Sequence, residues 1–321
     1  MQVKTRPIGA SLGPWGRREL PYVAVALAAA SWGTWGLVIR RTEALGAMPT
    51  SLESTIVMAV ITAVTGLFAL RDRVSRRAPW RERAWIAWLG VGDAANVVLF
   101  FAAYKLTIAV SVLTHYLTPL FVALAAPLVL RERMTPRTVV AVATSFAGLA
   151  VMLVPSAAAG AASGAVWASA ALGAGSAVFY ASNVVVNKFI AASFSTSETM
   201  FWHGVVATPL LALLVPREAW AAASPGAAGF LALASVGPGA LAGLAFVWGL
   251  RRMPAAHAST LTLLEPFVSI LLGAAWLGES LGATALLGGA LILAGSVTVM
   301  VVRRPEGVPR STGPDTSPTP P

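Results

Sequence analysis

Two acids sit in stretches of sequence that otherwise exclude charge. Asp93 follows Gly90-Val91-Gly92 in an apolar run from about residue 84 to 103. Glu265 lies within "LTLLEPFVSILLGAAWLGES", residues 261–280, directly before Pro266. A charged side chain near the centre of a membrane helix costs at least about 2.5 kcal/mol, so an intramembrane acid is a functional candidate by default. Desolvation favours the uncharged form of a carboxyl group. That property suits a proton-coupled carrier, in which substrate and proton compete for or share one site. A structural role is equally compatible with Glu265. Pro266 frees the carbonyl of Thr262, and a protonated acid could satisfy polar groups nearby. Asp93 has the same two readings: it pairs with a polar neighbour such as Asn96, or both line a cavity.

Pro119 and Pro266 form a mechanical pair, each near the middle of an apolar run. Helices interrupted at matching positions point to a transporter's binding site, because they expose backbone carbonyls to a ligand. A plain kink is the alternative. His115 and Tyr116 precede Pro119 by one turn and are placed to face such a break, although a lone membrane histidine also serves helix–helix hydrogen bonding. Trp32, Tyr180 and Asn183 lie deep in their runs with small residues beside them, which leaves room for a ligand. Trp85 and Trp88 fit interfacial anchoring, and Trp202 and His203 fit packing. Glu132 and Glu279 close their apolar runs. Glu132 stands between Arg131 and Arg133, where it forms either a gate with basic side chains or a solvated helix end.

The chain has no cysteine, and its three histidines, His115, His203 and His257, show no ligand spacing. No metal or other cofactor is therefore expected. No phosphate-binding loop, HExxH or Ser/His/Asp pattern occurs, so the expectation is neither an ATP-driven pump nor an enzyme.

These residues need a membrane scaffold. The chain of 321 residues is 57% hydrophobic and only 11% charged, against roughly 25% charged in soluble domains. Runs of about twenty apolar residues mark membrane helices. Ten are expected, at 21–39, 50–70, 84–103, 107–130, 137–154, 165–187, 197–215, 228–249, 255–277 and 282–302. The first resembles a secretory leader up to Ala30, but its apolar run continues to Ile39. Residues 1–20 form a basic tail, 155–164 a charge-free linker, and 303–321 a Pro/Ser/Thr-rich tail expected to be disordered. The net charge of +10 would suggest nucleic acid in a soluble protein. Here the basic residues cluster between apolar runs, which excludes that partner in favour of a lipid bilayer. With ten spans, 19 of the 23 Lys and Arg fall on the side of the two termini. Positive charge stays inside, so both termini are expected in the cytoplasm.

The two halves match without a gap at an offset of 147. Pro119 pairs with Pro266, Glu132 with Glu279, Gly148 with Gly295, Ala109 with Ala256, Lys105 with Arg252 and Trp32 with Phe179. Five spans per half is an odd number, so the halves enter the membrane from opposite sides. Inverted repeats with a site at the midplane are a transporter architecture. The expected fold is thus an all-α membrane protein of ten helices in two inverted five-helix repeats, 21–154 and 165–302.

The segments "SWGTWG", "AVSVLTHYLTPLFVALAAPLVLRERMTPRTVVAVATSFAGLAVML" and "HASTLTLLEPFVSILLGAAWLGESLGATALLGGALILAGSVTVM" resemble the EamA-like branch of the drug/metabolite transporter superfamily over about residues 21–302. "VSVLTHYLTP" and "YASNVVVNK" are also similar to the aromatic amino-acid exporters of that superfamily. The first half departs from the pattern in carrying Thr118 where the second has Glu265. The resemblance implies cytoplasmic termini and a central cavity used to export amino acids or other small metabolites. The expected function is a secondary carrier in the cell inner (plasma) membrane, working by alternating access as a monomer or homodimer. Its substrate-binding candidates are Trp32, Asp93, Asn96, His115, Tyr116, Pro119, Tyr180, Asn183, Glu265 and Pro266. Proton coupling is compatible with this reading. An uncoupled facilitator or channel, and a membrane enzyme or scaffold, are the rival readings.

Overall fold

A computed structural model describes residues 14–72, 74–158, 164–278 and 282–301. Most of the N-terminal tail, the middle of the linker, Glu279 and the C-terminal tail lie outside these residues. Every regular element among the described residues is helical. The first half contains α1 (Pro14–Trp32), α2 (Trp35–Leu45), α3 (Thr50–Asp72), α4 (Trp80–Leu106), α5 (Ile108–His115), α6 (Thr118–Ala125) and α7 (Pro136–Ala158). The second contains α8 (Gly164–Phe189), α9 (Thr196–Ala212), α10 (Arg217–Ala222), α11 (Pro225–Ala234), α12 (Ala242–Leu250), α13 (Ala255–Leu261), α14 (Leu264–Leu277) and α15 (Ala283–Val301).

Nine segments among the described residues are long and apolar enough to cross a membrane. Several of these spans are broken helices. α1 and α2 form one span from Glu19 to Leu45, interrupted at Gly33-Thr34. The expected seventh span, 197–215, coincides with α9, whose 17 residues rise only about 25 Å against a hydrocarbon thickness of about 30 Å. Backbone bonds from Leu213 to Pro209 and from Val215 to Ala212 carry its chain three residues further.

The breaks have local causes. Pro119 has no N–H for the carbonyl of His115, and Pro266 none for Thr262, so each span pauses and restarts. The turn 116–117 separates α5 from α6, and the turn 262–263 separates α13 from α14. Pro238 lies within a π-helical turn, Val236–Leu241, that joins α11 to α12, where Gly239 and Ala240 both donate to the Ser235 carbonyl.

The packing repeats when the halves are exchanged. α4 packs on α8, and its image is α1 on α12. The contacts of α3 with α9 and of α7 with α15 are each their own image, and α6 of one broken span packs on α13 of the other. The register of 147 read in the sequence therefore describes a two-fold arrangement in space, with the two broken spans meeting at its centre. α1 is integral to it: Val25, Ala28 and Ala29 are buried in the principal core beside Phe246, Leu250 and Leu261.

Small residues set the closest approaches. A Cβ on Gly148 would lie 2.5 Å from the Gly288 carbonyl, so α7 and α15 touch backbone to backbone. Gly295 faces Ser145 and Ala141 of α7, and Gly289 faces Phe267. These glycines of α15 pack against the same chain. At the α1–α2 break, a Cβ on Gly33 would lie 2.8 Å from the Val268 side chain and 2.9 Å from the Glu265 carbonyl. Gly33→Val is expected to destabilise the protein by about 1–3 kcal/mol, read as a lower thermal transition in detergent. Gly36→Ala meets only Ser269 Oγ at 3.6 Å and should leave that transition unchanged.

Candidate functional site

A cavity of about 760 Å³ lies between the halves. One end reaches the exposed residues Arg40, Glu43 and Tyr104, beside the turn between α2 and α3 and the end of α4. Its walls include Trp32, Asp93, Tyr180, Phe246 and Glu265, and Asn187, Met200 and Val247 lie toward the opposite end.

Trp32, Asp93, Tyr180, Asn183 and Glu265 line this cavity, while Asn96, His115, Tyr116, Pro119 and Pro266 do not reach it. The stretch Gly90-Val91-Gly92-Asp93 explains how Asp93 is placed. A Cβ on Gly90 would meet the His203 carbonyl at 2.6 Å, and one on Gly92 would meet Asn183 Oδ1 at 2.6 Å. The two glycines let α9 and α8 close on α4, leaving Asp93 on the cavity wall. His203, expected to be a packing residue, lines the same wall with Nε2 3.6 Å from Asp93 Oδ2. Its Nδ1 is 3.0 Å from the Thr199 carbonyl. A carbonyl only accepts, so Nδ1 carries the hydrogen and Nε2 is the nitrogen turned to the acid.

Asn96, His115 and Ser176 form a tether behind the wall. Ser176 Oγ lies 2.7 Å from Asn96 Oδ1 and 2.8 Å from His115 Nδ1. Its one proton goes to Asn96, so the imidazole is the donor to Ser176. The His115 ring stacks on Tyr180, centroids 5.5 Å apart and planes 8° apart. His115 thus holds Tyr180 against the cavity rather than facing it. Tyr116 is buried and hydrogen-bonds to the Glu265 carboxyl group, joining the broken span of one half to that of the other. Glu265 occupies the first turn of α14, where the helix dipole favours negative charge.

The carbonyls at both breaks are occupied. Thr118 Oγ1 donates to the His115 carbonyl at 2.8 Å, and the Glu265 N–H donates to the Thr262 carbonyl at 3.0 Å. The expected display of free carbonyls to a ligand is therefore not what these prolines create. The difference between Thr118 and Glu265 gains a physical meaning: the threonine side chain satisfies its own break, while the acid side chain is released to the cavity. Thr118→Val should cost about 1–3 kcal/mol by leaving a buried carbonyl unpaired, seen as a lower thermal transition. Thr118→Ser, which keeps the hydroxyl, should lose much less.

Polar contacts close the other end. Lys188 at the end of α8 donates to Glu132 and to the Met253 carbonyl. Glu132 Oε2 accepts the Ala255 N–H at 2.7 Å, so one acid joins α8 to the start of α13. This is the partner of Glu132, not Arg131 or Arg133, which are exposed. Arg251 donates to the Phe194 carbonyl and to Thr199 Oγ1 at 2.7 and 2.6 Å. Burial first, then Arg252, lowers its guanidinium to about 10, still charged at neutral pH. Glu198 accepts from Ser75 and from the Ser195 N–H, tying the 74–79 turn to α9. His257 bridges Tyr22 and Thr138 at 2.9 and 3.0 Å.

The sequence reasoning missed His203, Glu53 and Asn187 on the wall, and Lys188 and His257 at the closed end. Lys188 alone carried a signal, since its position in the register of 147 holds Arg41, another base.

Two inverted repeats around a cavity flanked by paired helix breaks define the architecture of a membrane transporter. The chain belongs to the EamA-like transporter family, whose model matches residues 20–154 and again 167–301. The two matches begin and end 147 residues apart, the register of the internal repeat. A solved structure described as "Crystal structure of protein" is 23% identical, covers 88% of this chain and 99% of that chain, and has a TM-score of 0.73. That likeness concerns the fold alone. No curated protein matches the sequence.

Proposed function

We propose that the protein is a secondary active transporter of the inner (plasma) membrane. It exports small amphipathic metabolites, of amino-acid size and larger, by alternating access, with proton exchange at Glu265 and Asp93. Counting α9 as the seventh of ten spans, the distribution of Lys and Arg supports cytoplasmic termini. In that orientation the mouth at Arg40, Glu43 and Tyr104 faces outward, and the Lys188–Glu132 latch faces the cytoplasm.

One observation carries this reading: the cavity reaches exposed residues at one end while a few breakable polar contacts hold the other. A carrier needs such a closed end to be exchangeable with an open one. The α15 glycines face α7 within the chain, which supports a monomer as the working unit. The eight remaining candidates divide by their contacts. Trp32 and Asn183 face substrate, and Asn96, His115, Pro119 and Pro266 position the groups that do. Tyr180 touches substrate, and Tyr116 holds the acid.

The test is flux in reconstituted vesicles, using a compound to which overexpression confers resistance. An imposed pH gradient should drive that compound to a concentration above its equilibrium value. Simple equilibration, indifferent to the gradient, would establish an uncoupled facilitator instead.

A further inference from the structure

We infer that the substrate of this cavity is an organic cation with an aromatic or apolar body. This inference rests on the transporter reading and narrows it.

The charge on the wall is one-sided. Glu43, Glu53, Asp93 and Glu265 line the cavity, against Arg40 at the mouth and His203 beside Asp93. The nearest bases beyond the closed end, Lys188 and Arg251, are engaged with Glu132, the Met253 carbonyl, the Phe194 carbonyl and Thr199. Among the described residues, the inner part of the cavity therefore offers no guanidinium or ammonium for a substrate carboxylate. A zwitterion would have to place its carboxylate among the acids.

The unpartnered atoms agree in sign. Glu53 is 6% exposed, and its Oε1 has no hydrogen-bond partner among the described residues. Asn187 Oδ1, on the same lining, likewise has none. Both are acceptors, so a donor-rich or positively charged ligand complements them and an anion does not. Buried polar groups left unpaired are costly, and a ligand that satisfies them gains that difference.

The remaining surface suits a cation's body. Trp32 and Phe246 pack at 5.1 Å between centroids, and Tyr180 is fixed by its stack on His115. Tyr180, Asp93 and Glu265 line the same cavity, so it offers both acids and an aromatic face. A cation over an aromatic face, with a carboxylate nearby, is attracted by both. The volume of about 760 Å³ lies in the range of pockets that enclose drug-sized ligands.

The test uses three ligands that share a phenylalkyl body: trimethyl(2-phenylethyl)ammonium, phenylalanine and 3-phenylpropionate. Each is titrated calorimetrically into the purified full-length protein in detergent at one pH. The permanent cation should bind at least tenfold more tightly than the zwitterion or the anion. Asp93→Asn, Glu265→Gln and Glu53→Gln should each weaken the cation by about tenfold, and the exposed Glu218→Gln should leave it unchanged. Variants are scored only if their thermal transition matches the parent's, and three acids at separate positions keep the test available if one fails to fold. Equal or tighter binding of phenylalanine or phenylpropionate overturns the inference. So does unchanged cation affinity in the folded acid variants, or no cation binding to the parent. Alternating access is read separately by cysteine labelling without ligand, so either reading can fail alone.

Discussion

Glu265→Gln is expected to reduce proton-driven transport to near background while leaving the protein folded. Glutamine keeps the shape of the side chain and can still accept from Tyr116, so the junction between the broken spans survives. What it loses is the charge and the proton site at the start of α14. An amide cannot take up or release a coupling proton, so driven flux is expected to fall at least about tenfold. Tyr116→Phe retains the acid and removes only its support, so it should lose less. Both are measured as pH-gradient-driven flux in proteoliposomes, beside thermal transitions that should match the parent's.

Lys188→Met is expected to open the end of the cavity that the polar latch holds shut. Lys188 and Glu132 are only 16% and 18% exposed. Removing one partner of a buried pair costs about 3–5 kcal/mol, because the other is left uncompensated. About 5.5 kcal/mol carries an equilibrium from 1:99 to 99:1 and about half of that makes it even, so this loss is large enough to change which end is mostly open. The native chain has no cysteine, and a single Asn187→Cys reports directly on the cavity floor. Its labelling by a membrane-impermeant maleimide from the latch side should rise at least tenfold in the Lys188→Met background. Glu132→Gln should act in the same direction but less, because the amide oxygen can still accept the Ala255 N–H. The double variant should lose less than the sum of the two singles.

Much of the architecture was legible because it depends on one-dimensional quantities. Apolar run length locates the spans, Pro119 and Pro266 locate the breaks, and the offset of 147 fixes which helices are images. The site was legible only in part, because lining depends on helix rotation. Asn96 lies three residues after Asp93, yet it faces Ser176 rather than the cavity. Trp32 lines the cavity, whereas its sequence mate Phe179 packs on Trp88 and the next residue, Tyr180, takes the lining position. His203 and Asp93 are brought together from helices of opposite halves, and no local spacing announces such a pair. Sequence shows the N–H that each proline lacks but not Thr118 Oγ1 folding back to replace it, so free carbonyls at the breaks are not legible as filled.

The central claim is that one cavity is exposed alternately to the two sides of the membrane. Ser269 lines the cavity on α14, and Ser269→Cys is a small change there. The decisive measurement is its labelling rate by an impermeant maleimide in right-side-out and inside-out vesicles, with and without Lys188→Met. The account predicts labelling from the outer side in the parent background and from the cytoplasmic side in the latch variant. Comparable labelling from both sides of one protein, or an unchanged outer preference after the latch is removed, would contradict it.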